Sequence, residues 1–157
     1  MNTHSIWTNP IHFFASGFGA GAMPFAPGTF GTLMAIPFVL VLAQFSLWMY
    51  VILTAFYILL AIRACDITAK DWGVDDPGAT ASDEIAGFLV TMLAVKPTAG
   101  ALLIGFGLFR ILDIWKPFPI RWFDRHIHGG LGIVLDDLVA GGIACVLLHL
   151  LSLQFQL

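Results

Sequence analysis

Leu47-Trp-Met-Tyr-Val-Ile-Leu-Thr-Ala-Phe-Tyr-Ile-Leu-Leu-Ala-Ile62 runs without a single charged side chain. A stretch apolar on every side predicts a helix with apolar surroundings on every side. Four more such stretches flank it: Phe30–Phe45, interrupted by Pro37 and Gln44, then Ile85–Val95, Thr98–Phe109 and Leu138–Leu153. Several are shorter than the roughly 20 residues that a full bilayer crossing prefers. They read as short, tilted or partly protein-shielded helices. Of the 157 residues 59% are hydrophobic and only 11% charged, with a mean hydropathy of +0.89. A soluble domain is about 45–50% apolar and about 25% charged. A compact water-soluble bundle with a greasy core is therefore the weaker reading. The expectation is an all-α fold: a small integral membrane bundle of about five apolar helices, one domain over residues 1–157.

The charges are one-sided. Arg63 and Lys70 lie between the second and third apolar runs, and Arg110, Lys116, Arg121 and Arg125 between the fourth and fifth. Only Lys96 lies elsewhere. If all five runs cross, the positive-inside rule makes the basic side cytoplasmic. All ten acids fall on that side or at helix ends bordering it. A mere anchor has no need of such asymmetry; an enzyme acting on a lipid headgroup does. The net charge is −3, and no basic patch interleaves with aromatics, so nucleic acid is not an expected partner.

Four constellations carry possible chemistry. Gly17-Phe-Gly-Ala-Gly21 and the turn Pro27-Gly28-Thr29 precede the first apolar helix. Backbone N–H groups there, as at any helix N-terminus, suit an anion, but glycines that let membrane helices pack closely account for the segment equally well. Asp83-Glu84 opens the third run. Capping needs one acid at most, with Ser82 also available, and two adjacent acids at a membrane border are costly unless paired or metal-bound. Arg110, Asp113 and Lys116 step by three, so neighbours meet on one helix surface before Pro117 ends it. Asp113 is a candidate metal ligand and the two cations candidate phosphate grips; an internal ion-pair ladder is the bland alternative. Finally, His128-Gly-Gly-Leu-Gly132 precedes Asp136-Asp137, read as opening the last helix. Five carboxylates near one membrane face suit a hard cation such as Mg²⁺, provided that their helices are neighbours.

Other chemistries fit poorly. A thiol phosphatase needs Cys-x5-Arg, but Asp71 follows Cys65 at that spacing and Leu151 follows Cys145. The two cysteines read as free thiols. There is no G-x-S-x-G elbow. His126 and His128 lack cysteine partners for zinc, and His4, His12 and His149 read as surface or interfacial. A transporter or assembly subunit using carboxylates as a cation path wants charges at mid-helix. The spaced acid pattern of CDP-alcohol transferases is missing.

Taken in order, Gly17–Gly21, Ala26-Pro-Gly-Thr-Phe-Gly-Thr-Leu33, Thr68-Ala-Lys-Asp71, Asp83-Glu-Ile-Ala-Gly87, Phe109–Ile120 and His128–Gly141 cover nearly the whole chain. In this the chain resembles the phosphatidylglycerophosphatase A family. Ala81-Ser82 is smaller than the pair expected ahead of Asp83. The resemblance implies a Mg²⁺-dependent bacterial inner-membrane enzyme of phospholipid biosynthesis that removes the terminal phosphate of phosphatidylglycerophosphate. It also implies a central helix surrounded by others. The expected site comprises Asp83, Glu84, Asp113, Asp136 and Asp137 as metal ligands and general base. Arg110, Lys116, Gly28 and Thr29 are expected to contact the phosphate. Attack by water is the expected route, with an aspartyl-phosphate intermediate as the alternative.

Overall fold

The computed structural model describes residues 3–155, with side chains from Ser5 to Leu153; the side chain of His4 lies outside this set. The described residues contain seven α-helices and two short 3-10 turns, joined by loops, and no strand. The helices are α1 (Pro10–Ala15), α2 (Pro27–Leu42), α3 (Leu47–Trp72), α4 (Ser82–Thr91), α5 (Ala99–Trp115), α6 (Ile120–His126) and α7 (Gly129–Phe155).

Helix boundaries differ from the expected ones for identifiable reasons. α2 begins at Pro27 itself, because proline is pre-set for a first helical position and its missing N–H costs nothing there. Gly28 and Thr29 therefore form the first turn of α2 rather than a preceding loop. α3 is capped at its start by Ser46, whose Oγ accepts from the Met49 N–H (3.4 Å). It continues ten residues past the apolar run and ends at Gly73, in the left-handed conformation (φ 65°) that glycine adopts without Cβ strain. Arg63 and Lys70 are thus helical, not loop residues. α7 starts at Gly129, so Asp136 and Asp137 sit about two turns inside it instead of opening it. Ser82 is the first residue of α4, and its hydroxyl bonds Tyr57 Oη (2.8 Å) rather than capping the helix.

α4 is enclosed by protein. It packs against α2, α3, α5 and α7, and eight of its ten residues are buried. α3 and α7 are long and apolar enough to cross a bilayer by length and composition; α2, α4 and α5 have 16, 10 and 17 residues. The outer face of α3 leaves Trp48, Ile52, Phe56 and Leu59 more than half exposed. Each would gain about 1.5–3 kcal/mol from leaving water, so this face favours an apolar solvent over an aqueous one.

Hydrogen bonds fix how the helices run. Near the start of α3, Tyr50 Oη donates to the Leu89 carbonyl near the end of α4 (2.9 Å). Near the end of α3, Asp66 Oδ1 accepts from the Gly130 N–H at the start of α7 (3.3 Å). The start of α4, the end of α3 and the start of α7 therefore share one end of the bundle. The last turn of α5 joins them through Lys116, whose Nζ reaches Asp136 (2.6 Å). Lys96 lies at the other end, beside Phe45, Leu47 and Tyr50.

Candidate active site

Three helices deliver the five predicted acids to the polar end. α4 supplies Asp83 and Glu84 from its first turn, α5 supplies Asp113 from its last, and α7 supplies Asp136 and Asp137. One oxygen each from Asp83, Glu84 and Asp137 lie within 4.8 Å of one another, and so do one each from Asp113, Asp136 and Asp137. Asp137 belongs to both trios. Asp83, Asp136 and Asp137 are buried, at 8%, 6% and 3% exposure.

Glycines make this convergence possible. A Cβ on Gly87 of α4 would stand 2.8 Å from the Asp137 carbonyl oxygen, and a Cβ on Gly141 of α7 would overlap the carbonyl of Gly87. Only with both positions bare do the two backbones come this close. Gly28 has a similar part at the start of α2. A Cβ there would collide with Glu84 Oε1 and crowd the Arg110 guanidinium. The predicted glycine thus backs directly onto the acid cluster. The Thr29 N–H already bonds the Ala26 carbonyl (2.9 Å), which leaves its hydroxyl as the group free to reach a ligand.

The two cations are placed differently. Arg110 Nη1 donates to Asp113 Oδ2 at 2.5 Å, the expected i,i+3 pair. Lys116 does not continue that ladder. It is the C-cap of α5 in a left-handed conformation (φ 45°, ψ 58°), unusual for a residue with a Cβ. This turn swings its ammonium between Asp124 Oδ1 (2.5 Å) and Asp136 Oδ2 (2.6 Å). Burial disfavours the charged ammonium, but the bonds to Asp124 and Asp136 outweigh it and hold Lys116 above the usual lysine range.

The acids suit a hard cation. Asp83 Oδ1, Glu84 Oε2 and Asp136 Oδ1 are buried without a hydrogen-bond partner, as is Arg110 Nε. Buried carboxylate oxygens left bare are costly, and five carboxylates here face only two cations. Oxygen donors in excess of local positive charge are what Mg²⁺ takes up, and an orphaned guanidinium N–H beside them suits a phosphate oxygen.

The same chain matches the family model described as Phosphatidylglycerophosphatase A over residues 13–152. The chain belongs to the phosphatidylglycerophosphatase A family. It is similar to the phosphatidylglycerophosphatase A of Escherichia coli (strain K12), 43% identical over 96% of this chain and 88% of the relative. The protein of that name from Haemophilus influenzae is 41% identical over 84% and 82%. A Bacteroides thetaiotaomicron protein, provisionally named a phosphatidylinositol-3-phosphatase, is 33% identical over 85% and 87%. No solved structure matches.

For this family member the sequence reading missed two acids. Asp124 lies between Arg121 and Arg125 in the sequence, and it holds Lys116. Asp76, in the loop before α4, lines a small cavity of about 60 Å³ with Asp124, His128 and Asp136. Burial raises its carboxyl above the ordinary value, against the pull of Lys116. No local spacing could have singled out either residue, since both reach the site through loops and α6. His12 also departs from expectation. It is buried, with Nε2 3.0 Å from Asp71 Oδ2 and Nδ1 2.8 Å from Ser5 Oγ, and so clasps the N-terminal segment to the end of α3. Asp124→Asn is expected to lower the phosphate-release kcat about tenfold, roughly 1.4 kcal/mol, because a charge-assisted bond orienting Lys116 is lost. Asp124→Glu should recover most of the rate. An unchanged kcat in the Asn variant would mean that Asp136 alone positions Lys116.

Proposed function

We propose that this chain hydrolyses the terminal phosphate of phosphatidylglycerophosphate, giving phosphatidylglycerol and inorganic phosphate, as a Mg²⁺-dependent enzyme of phospholipid biosynthesis. The observation that carries the reading is the meeting of five carboxylates with Arg110 and Lys116 at one end of an apolar bundle. Membership of the phosphatidylglycerophosphatase A family and the names of two relatives support the headgroup. In this reading the enclosed α4 is the central helix, and the apolar helices around it sit in the bacterial inner membrane. The positive-inside rule puts the polar end in the cytoplasm, where six of the seven Lys and Arg residues lie.

Mg²⁺, held by Asp83, Glu84, Asp113, Asp136 and Asp137, would neutralise phosphate charge and lower the pKa of water. The chain's own groups do the rest. Arg110, with Nε unpaired, binds a phosphate oxygen and stabilises charge that grows in the transition state. Lys116 approaches the phosphate from the Asp136 side. The Thr29 hydroxyl, on the α2 turn that backs onto Glu84, donates a further hydrogen bond to the phosphate. A carboxylate oxygen without a protein partner, Asp83 Oδ1 or Asp136 Oδ1, accepts the proton of the attacking water. An aspartyl-phosphate route uses the same residues.

The test is phosphate release from phosphatidylglycerophosphate in mixed micelles by the full-length chain. Release with Mg²⁺, its loss with a chelator and its return on re-addition are expected. No release would overturn the phosphatase reading, and chelator-resistant release would overturn the metal.

A further inference from the structure

Beside the acid cluster, the elbow between α5 and α6 forms a groove of about 320 Å³ with the opposite chemistry. Pro117, Phe118, Arg121, Trp122, Arg125 and His126 line it, and no acid does. Arg121 spends one N–H on the Trp115 carbonyl (3.3 Å), and neither it nor Arg125 has an ion-pair partner among the described residues. The acid between them in sequence, Asp124, turns away to Lys116. Its aromatic lining is exposed: Phe118 is 85% exposed and Trp122 48%. Two guanidinium groups without ion-pair partners, among exposed aromatic side chains, match the interfacial level of a phospholipid, where a phosphodiester lies between acyl chains and headgroup.

Position gives the groove its use. It begins at Pro117, next in the chain to the lysine that contacts Asp136. The proposed substrate carries two phosphates, the terminal monoester and the diester to diacylglycerol, joined by a three-carbon linker. We infer that the groove holds the phosphodiester of the lipid substrate, with Arg121 and Arg125 as its binding residues, while the monoester sits at the carboxylate cluster. The inference rests on the function proposed above. It makes these arginines specificity determinants, which recognise a monoester only when a phosphatidyl diester accompanies it.

Two measurements test this on the detergent-solubilised full-length chain. The first follows tryptophan fluorescence during titration with dioctanoyl phosphatidylglycerol, which has the diester but no terminal phosphate, and with dioctanoylglycerol, which has neither. The wild type should bind the first and not the second. Arg121→Gln/Arg125→Gln should weaken binding at least tenfold, and Arg125→Gln alone should weaken it to a lesser degree. Equal binding by wild type and double variant would overturn the inference. The second compares phosphatidylglycerophosphate with phosphatidate, whose monoester is attached directly to diacylglycerol. The double variant should raise KM at least tenfold for the former, with kcat within twofold, and leave phosphatidate kinetics unchanged. An equal loss on both substrates, relieved by added anionic lipid, would assign the groove to neighbouring bulk lipid instead. Should the wild type hydrolyse neither substrate, the proposed function falls, and the fluorescence titration still decides the groove.

Discussion

Asp137→Asn is expected to abolish Mg²⁺-dependent phosphate release, lowering kcat at least about 10³-fold, roughly 4 kcal/mol. Asp137 is the one acid shared by both trios of converging carboxylates, and it is nearly inaccessible at 3% exposure. The amide keeps the side-chain shape but removes the charge and one of the two anionic oxygens. Loss of a ligand from either trio would weaken the cation, and here both lose one together. The variant should still fold, because neutralising one of several crowded buried carboxylates relieves repulsion as well as removing a ligand. The discriminating readout is the melting temperature with and without Mg²⁺. The wild type should gain stability from the ion by mass action, and Asp137→Asn should gain little. Activity within tenfold of the wild type, with an intact Mg²⁺ response, would remove Asp137 from the ligand set.

Lys116→Gln is expected to lower kcat by about 10²–10³-fold, corresponding to roughly 2.7–4 kcal/mol, the effect of deleting one preorganised stabiliser of transition-state charge. Two losses coincide. The phosphate loses a cation, and Asp124 and Asp136, which Lys116 bridges at 2.5 and 2.6 Å, are left facing each other without it. Lys116→Arg preserves charge but not the compact point-like ammonium. It should recover part of the rate if charge dominates and little if the bridging geometry does. A Gln variant within a few-fold of the wild type would reduce Lys116 to a structural clamp. Combined with Asp124→Asn, its effect should be far from additive, because the two residues act through one contact.

The residue pattern was legible wherever the chemistry was local. Arg110 and Asp113 are three apart on one helix, and they pair as that spacing dictates. Asp83 and Glu84 open their helix as read, since an apolar run with acids at its front has few other ways to lie at a membrane border. The same local logic failed at Lys116, whose spacing from Asp113 continues the stripe but whose backbone leaves the helix in the left-handed region. It failed also at Gly129 and Gly130. They read as loop glycines, yet they begin α7; a Cβ on Gly130 would collide with the Ile62 carbonyl and with Asp66 of α3. Gly129 takes the left-handed conformation (φ 72°) that favours glycine, Gly130 serves close backbone approach, and approach is a property of two segments at once.

Composition and order alone therefore determined that the chain is helical, that its charges gather at one end, and which family it resembles. These follow from the free energy of apolar transfer and from i,i+3 and i,i+4 geometry, both properties of short stretches. Tertiary structure alone decided that the acids of α4, α5 and α7 meet, that Asp137 is common to both trios, and that Asp124 rather than Asp113 pairs with Lys116. The physical reason is the contact between Gly87 and Gly141. The distance between two helix backbones is set by which bare positions happen to face each other, and that facing exists only once the chain has folded.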